Sequence, residues 1–225
     1  MTTWLLTGGA GYIGAHVARD LLASGRQVVV LDDLSAGHRD RVPADAAFVE
    51  ASVLDTDAVR AALTSYNVTG VIHLAAKKAV GESVEKPLLY FRENVGGMTS
   101  LLQAMADAGT RCLVYSSSAA VYGEPPWSPI SEDTPCAPLS PYGQTKLIGE
   151  WMVRDEAAAR PLSWVALRSP MLYRPPGHSL KSIDPLRTSP EILPGLLAYV
   201  PCVLKLPPQV GVLGGLWLSA LAAVP

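Results

Sequence analysis

Three glycines, Gly8, Gly11 and Gly14, stand where an apolar run gives way to a helical pattern. Residues 4–6 read as a buried strand, and residues 15–22 carry apolar side chains at the i, i+3, i+4 spacing of a helix. A strand that turns directly into a helix needs a residue that tolerates positive φ at the first glycine. The second glycine lets a pyrophosphate approach the backbone, and the third lets the helix pack closely. The spacing predicts a dinucleotide-binding turn with the phosphates at the helix N-terminus.

An acidic pair at the end of the next apolar run supports this prediction. Residues 27–31 read as a second buried strand, and Asp32 and Asp33 follow it. A carboxylate about 20 residues past the turn can accept hydrogen bonds from the adenosine ribose hydroxyls, which favours NAD over NADP. A glycine triplet that serves packing alone is the alternative.

Charge and cysteine content limit the partners and the location. The 225-residue chain has a formal net charge of −2, so its charge favours neither nucleic acid nor an anionic membrane. Its three cysteines, Cys112, Cys136 and Cys202, form no CxxC pair, so neither a zinc site nor a disulfide framework is indicated. The chain lacks a basic region before its first strand, so a secretory signal is not indicated. We expect a cytoplasmic protein without a bound metal.

Strands and helices alternate along most of the chain. The predicted strands cover residues 4–6, 27–31, 47–49, 70–76, 111–116 and 162–167, and the predicted helices cover 15–22, 58–63, 87–108 and 141–158. Asp55 is the predicted N-cap of the second helix, and Gly109 the predicted C-cap of the third. Alternation with continuous apolar strands predicts an α/β fold with a doubly wound parallel sheet of the Rossmann type. We assign this domain to residues 1–168.

Two features near the predicted carboxyl edge of the sheet carry chemistry. Ser118 ends a serine run just past a strand, and Tyr142 and Lys146 lie one turn apart on one face of a helix. An ammonium beside a phenol favours the phenolate and lowers the pKa of the tyrosine. Such a tyrosine can take a proton from a sugar or alcohol hydroxyl while hydride leaves the same carbon. The motif YxxxK alone arises often by chance, and an exposed helix pair is the alternative.

These residues resemble the extended short-chain dehydrogenase/reductase family, and within it the enzymes that epimerise C4 of UDP-hexoses. The resemblance rests on TGGAGYIG at 7–14, DDLSAG at 32–37, HLAAKKAVGESVEKPLLYFRENV at 73–95, SSSAAVYG at 116–123 and SPYGQTK at 140–146. It covers residues 1–168. Related dehydratases usually carry Thr-Asp-Glu where this chain has Ser-Ser-Ala at 117–119, which argues against dehydration.

The resemblance implies a role for each motif. Tyr142 would be the catalytic base, Lys146 its partner and Ser118 a helper in the same proton transfer, with Ser118 and Tyr142 contacting the substrate. The implied cofactor-binding residues are Gly8, Gly11, Tyr12, Ile13, Gly14, Asp32, Asp33, Ser52, Val53, Ala75, Ala76, Lys78, Asn94, Tyr142 and Lys146. For Lys78 a solvated loop lysine is the alternative, and for Asn94 a helix-surface amide.

The implied cofactor is NAD, and the implied substrate is a UDP-sugar, UDP-glucose or UDP-galactose. Hydride would leave C4 of the hexose, the keto sugar would turn over, and hydride would return to the other face. The resemblance also implies a homodimer through a four-helix bundle of the long helix and the helix that carries Tyr142.

The chain departs from the family pattern at two places. Ala51 and Ser52 replace a Gly-Asp pair whose Asp reaches the adenine, which predicts weaker cofactor binding. From residue 169 no family motif is recognisable, and ten of the 19 prolines lie in residues 169–225. The almost wholly apolar run at 210–224 is shorter than a membrane helix needs, so we expect a collapsed or disordered tail rather than a span.

Two origins of residues 169–225 stay open: an out-of-frame tail, or a divergent short homologue with a different substrate region. Catalysis draws on binding energy from remote parts of a substrate. We therefore expect NAD binding and at best feeble epimerase activity from this chain. The alternatives are a non-catalytic NAD-binding fragment and another NAD-dependent nucleotide-sugar enzyme, a decarboxylase or a dehydratase.

Overall fold

A computed structural model of the protein describes residues 2–126 and 130–169 and the backbone of one further strand at 211–214. Its strands are β1 (Thr3–Thr7), β2 (Gln27–Asp32), β3 (Ala47–Glu50), β4 (Gly70–His73), β5 (Cys112–Ser118), β6 (Ser163–Ser169) and β7 (Gly211–Gly214). They form one sheet in the order β3-β2-β1-β4-β5-β6-β7 with parallel pairing throughout. The strand order reverses between β1 and β4, which creates the crevice where such sheets bind ligands. The predicted doubly wound parallel sheet is confirmed.

The helices are α1 (Tyr12–Ala23), α2 (Thr56–Ser65), α3 (Val80–Glu85), α4 (Pro87–Tyr90), α5 (Gly97–Ala108) and α6 (Pro141–Ala159). A π-helical turn, Phe91–Gly96, joins α4 to α5, and single 3₁₀ turns lie at Arg39–Arg41 and Ala119–Tyr122. Asp55 caps α2 by accepting a hydrogen bond from the Ala58 N–H at 3.0 Å, as predicted. Gly109 ends α5 in the left-handed conformation with φ of 71°, also as predicted.

Two apolar cores lie on opposite faces of the sheet. Helices α2, α5 and α6 cover the first face, where Leu63, Leu101 and Val153 pack against strand residues. Helix α1 covers part of the second face, where Val17 and Leu21 pack against β1 and β2. Because both faces of a parallel sheet are buried, its strands are apolar at consecutive positions rather than at alternate ones.

The structure differs from the predicted elements at several places. Strand β4 ends at His73, so residues 74–76 belong to the following loop. The helix predicted over 87–108 is interrupted by the π-helical turn, and α3 precedes it without having been predicted. In the C-terminal region β7 pairs with β6, from Trp164 opposite Gly211 to Leu167 opposite Gly214. The rest of the tail predicted to be collapsed or disordered lies outside the described residues.

The described residues contain no helix that is both long and apolar enough to span a bilayer. The same part of the chain has no cluster of three or more His, Cys, Asp or Glu side chains suited to a metal ion.

Candidate active site

The glycine turn between β1 and α1 has the geometry that its spacing predicts. Gly8 has φ of 73°, in the left-handed region that side chains disfavour, and a Cβ there would lie 2.6 Å from the Ala75 backbone nitrogen. A Cβ at Gly14 would lie 2.6 Å from the Gly8 carbonyl oxygen. The turn and the start of α1 therefore pack backbone against backbone and leave no room for side chains.

The N-terminus of α1 is open in a way that the starts of α2 and α6 are not. Asp55 caps α2, and Ser140 caps α6 by accepting from the Gly143 N–H at 3.2 Å. Among the described residues, none caps α1 through its side chain, and its first turn holds no acidic residue. Its first-turn N–H groups lack intrahelical acceptors and carry the positive end of the helix dipole. This cradle fits the pyrophosphate of a dinucleotide.

Asp32 closes the crevice at the carboxyl end of β2. Its side chain is buried, with Oδ2 accepting from the Ala10 N–H at 3.0 Å and Oδ1 from the Leu34 N–H at 2.9 Å. Each oxygen keeps a second lone pair for a ribose hydroxyl, so the carboxylate fits the adenosine side of NAD. Asp33 is exposed and accepts from the Ser35 N–H.

The other predicted cofactor residues lie on loops at the same edge. Ala75 and Ala76 follow β4, and Ala75 lies directly against Gly8. Ser52 and Val53 follow β3, and the Ser52 hydroxyl accepts from the Leu54 N–H at 3.2 Å. Lys78 is exposed on the loop after β4. Whether each of these residues contacts the cofactor stays a prediction.

Asn94 connects the loop after β4 to helix α6. It is buried in the π-helical turn, where Oδ1 accepts from the Lys77 N–H at 2.8 Å. Its Nδ2 donates to the Lys77 carbonyl and to the Thr145 hydroxyl, both at 3.0 Å. The alternative of an exposed helix-surface amide is therefore wrong. A direct contact of Asn94 with NAD stays a prediction, and it would use the free lone pair of Oδ1.

The structure brings the predicted catalytic residues together at this edge. Ser118 ends β5, and its side chain lies near that of Tyr142 at the start of α6. The Ser118 hydroxyl also accepts from the Ala120 N–H at 3.2 Å, which fixes its orientation. Tyr142 is held partly buried by the capped N-terminus of α6. A serine and a tyrosine therefore lie together at the carboxyl edge of the sheet, the edge at which the glycine turn also follows β1.

Lys146 lies one turn further along α6 and is almost fully buried. Its ammonium donates to the Ser116 carbonyl at 2.7 Å and lies 6.0 Å from the centre of the Tyr142 ring. Burial lowers the pKa of Lys146 to about 8. With this pKa, the Lys146 ammonium loses its proton only slightly above neutral pH.

The predicted direction of the Tyr142 pKa is wrong for the protein without its ligands. Burial raises the pKa of Tyr142 above its ordinary value, and the hydrogen bond from Ser118 lowers it by less. The ammonium of Lys146 points to the Ser116 carbonyl, so it does not offset the loss of solvent around the phenol.

A buried ion pair behind the site was not predicted. Arg168 donates to both carboxylate oxygens of Glu150, at 3.0 Å and 2.7 Å, and to the Tyr122 hydroxyl at 2.8 Å. Ser117 donates to the same carboxylate. The sequence signal for Glu150 is its spacing on the helix, because it follows Lys146 by four residues and Tyr142 by eight. The pair anchors the catalytic face of α6 to the ends of β5 and β6.

The fold and the site together define a doubly wound dinucleotide-binding domain with a Ser–Tyr–Lys site of the dehydrogenase type. The profile of the "NAD dependent epimerase/dehydratase family" matches residues 4–185 of this chain. The chain therefore belongs to this family, and the predicted resemblance is confirmed. The match runs past Arg168, where we had placed the end of the resemblance.

Curated relatives give the same result. UDP-glucose 4-epimerase from Lactobacillus helveticus is 48% identical over 164 residues, which are 73% of this chain and 50% of that enzyme. UDP-glucose 4-epimerase from Streptomyces lividans is 48% identical over 165 residues. The chain thus spans about half the length of these relatives.

Solved structures agree in fold. UDP-glucose 4-epimerase from Brucella ovis, crystallised in complex with NAD, has a TM-score of 0.73 and 45% sequence identity, covering 75% of this chain and 51% of that one. The enzyme from Thermus thermophilus, also in complex with NAD, has a TM-score of 0.72 and 39% identity. The family is NAD-dependent, which agrees with the cofactor that the glycine turn and Asp32 predict.

Proposed function

We propose that this chain binds NAD at the glycine turn and carries the proton-transfer residues of an epimerase that acts on C4 of a UDP-hexose. The observations that carry the proposal are the arrangement of Ser118, Tyr142 and Lys146 at the end of β5 and the start of α6, and the open N-terminus of α1. The relatives that match 73% of this chain are named UDP-glucose 4-epimerase, which supports the choice of substrate.

Bound NAD would supply the hydride acceptor and, with its cationic nicotinamide, a positive charge that favours the phenolate of Tyr142. The Tyr142 phenolate would take the proton of the C4 hydroxyl as hydride leaves C4 for the bound acceptor, and would return the proton when hydride returns to the other face of the keto sugar. Ser118 orients that hydroxyl by hydrogen bonding, since its own Oγ is already fixed by the Ala120 N–H. Lys146 holds the nicotinamide ribose by donating from its ammonium.

The first test is a calorimetric titration of the full chain with NAD, followed by UDP-glucose or UDP-galactose while the absorbance of NADH is recorded. We expect NAD binding with a small formation of NADH. Tyr142→Phe is the matched control, because it keeps the ring and removes the proton acceptor. The proposal is refuted if NAD does not bind or if Tyr142→Phe forms NADH as well as the natural chain does.

A non-catalytic NAD-binding fragment is the second candidate. NAD binding without NADH formation on either UDP-sugar would support it. A decarboxylase or dehydratase would be recognised by its product, although the Ser-Ser-Ala sequence at 117–119 argues against a dehydratase. The cytoplasmic location stays a prediction that rests on cysteine usage.

We also propose that the chain forms a homodimer through a four-helix bundle of α5 and α6. The two helices leave a groove of about 420 Å³ on their outer side, lined by Leu102, Gln103 and Met152 among others. A second copy of the helix pair would fill this groove. Sedimentation should report a dimer, and Met152→Glu should dissociate it; a monomer at all concentrations would refute this interface.

A further inference from the structure

A row of three side chains crosses the sheet from the glycine turn toward helix α6. Thr7 pairs in register with His73, and His73 pairs in register with Tyr115. These residues lie at the carboxyl ends of β1 and β4 and on the adjoining part of β5, and all three are buried. The proposed proton-transfer reaction gives none of them a role.

Contacts connect the row from one strand to the next. The Thr7 hydroxyl and His73 Nδ1 are 2.7 Å apart and share a hydrogen bond. The rings of His73 and Tyr115 stack with centroids 5.8 Å apart and an angle of 20° between their planes. Burial lowers the pKa of His73 to about 3, so the imidazole stays neutral and places no second positive charge near Lys146. The stacking contact between the His73 and Tyr115 rings fixes the plane of the Tyr115 ring.

Tyr115 contacts both the side-chain ammonium and the backbone carbonyl of Lys146. The Lys146 ammonium lies 5.1 Å from the centroid of the Tyr115 ring, within the range of a cation–π interaction. The Tyr115 hydroxyl donates to the Lys146 carbonyl at 3.3 Å. One side chain thus touches the charged group and the backbone of the same lysine.

The close approach of Tyr115 depends on the absence of a side chain at Gly149. A Cβ at Gly149 would lie 2.7 Å from the Tyr115 Cζ and 3.0 Å from its Cε1, and it would also meet the hydroxyl. These ring atoms belong to a side chain that stacks on His73, so the ring would have to move away from α6. Glycine in the middle of a helix is less favourable than alanine, so this position trades helix propensity for space.

We infer that Tyr115 is a positioning residue for Lys146 and that Gly149 is the residue that permits it. Tyr115 contacts the ammonium that donates to the Ser116 carbonyl and so holds it at that position. The contact between Lys146 and NAD rests on the proposed function, whereas the placement of the ammonium over the ring does not.

The first experiment measures the placement directly. The full chain is labelled with ¹³C-lysine, and the Hε resonance of Lys146 is assigned through Lys146→Arg. Because the side chain lies over the ring face, we expect an upfield ring-current shift that Tyr115→Phe keeps and Tyr115→Leu abolishes. Leu113→Ala is the matched control, since Leu113 lies two residues earlier in the same core and is fully buried. An Hε resonance at its ordinary position in the natural chain would overturn the inference.

The second experiment measures the consequence for NAD. We expect Tyr115→Leu to weaken NAD binding about tenfold and Tyr115→Phe by about threefold or less, since the phenyl ring keeps the cation–π contact. Gly149→Ala should also weaken binding, because it displaces the ring. Added to Tyr115→Leu, it should cause no further loss, since leucine lacks the atoms that a Cβ would meet.

The results separate positioning from loss of stability. Equal weakening by Tyr115→Leu and Leu113→Ala at matched loss of thermal stability would overturn the inference, and so would additive effects of Tyr115→Leu and Gly149→Ala. If the natural chain does not bind NAD, the proposed function fails, and the Hε resonance alone decides the role of Tyr115.

Discussion

The ion pair between Glu150 and Arg168 offers the sharpest test of what holds the catalytic helix in place. Both side chains are buried, with exposed fractions of 4% and 6%. Arg168→Met removes the three hydrogen bonds from the guanidinium to the carboxylate and the bond to the Tyr122 hydroxyl, and leaves Glu150 with the Ser117 hydroxyl as its donor. A buried carboxylate with a single hydroxyl donor is poorly compensated for the loss of water.

Removing one partner of such a pair costs about 3–5 kcal/mol, because the other charge stays buried. That is a large part of the roughly 5–15 kcal/mol that stabilises a typical protein. With an m value of about 2 kcal/mol per molar urea, the midpoint of unfolding should fall by about 2 M. The double variant Glu150→Met with Arg168→Met leaves no buried charge, so it should lie within about 2 kcal/mol of the natural chain.

Urea unfolding followed by circular dichroism measures these differences. Arg154→Met is the matched control on the same helix, since Arg154 and its partner Asp155 are 61% and 69% exposed. This control should change the free energy of unfolding by about 0.5 kcal/mol or less. A loss below about 1 kcal/mol in Arg168→Met, or a double variant as unstable as the sum of the single ones, would refute the reasoning.

Three further predictions follow from the site. Gly8→Ala should cost about 2 kcal/mol or more and abolish NAD binding, because it adds a clash with Ala75 to the strain of a φ of 73°. Gly25→Ala, with φ of 78° and nothing within 4 Å of the added Cβ, isolates the strain and should cost about 1 kcal/mol. Burial lowers the pKa of Lys146 to about 8, so between this pH and about 10.4 the unfolded chain keeps a proton that the folded chain has lost. The free energy of unfolding, measured relative to Lys146→Met, should therefore rise by about 3 kcal/mol from pH 8 to about 10.4. A difference between the two chains that does not change with pH would contradict this prediction. Burial lowers the pKa of His73 to about 3, so the natural chain should lose on the order of 4 kcal/mol of its free energy of unfolding as the pH falls from 6.5 to about 3. His73→Gln should remove this loss. Equal pH profiles of the two chains in denaturant titrations would refute the prediction.

Local sequence patterns were sufficient to predict the strands β1 to β6, most of the helices and part of the candidate site. The apolar runs predicted the six strands from β1 to β6, because a strand buried on both faces is apolar at every position. The glycine spacing predicted the turn at Gly8, because tolerance of positive φ depends on the residue itself and not on distant contacts. Tyr142 and Lys146 share a helix face through their spacing of four residues alone.

Contacts between distant segments were decided by the tertiary structure. The resemblance assigns Asn94 to the cofactor, with a helix-surface amide as the alternative, whereas the fold shows that its amide pairs with Lys77 and Thr145. The π-helical turn around it is invisible in the periodicity of a long helix. The pair of Glu150 and Arg168 joins residues 18 positions apart, and the spacing on α6 identifies only one of them.

Sequence patterns alone predicted the class of fold and the glycine turn, and they suggested which groups would move protons. The tertiary structure decided how those groups are charged and held, because desolvation is the sum of contributions from every neighbour. A phenol and an amine four residues apart predict a lowered tyrosine pKa, whereas the packed core around them raises it and turns the ammonium toward Ser116 and the Tyr115 ring.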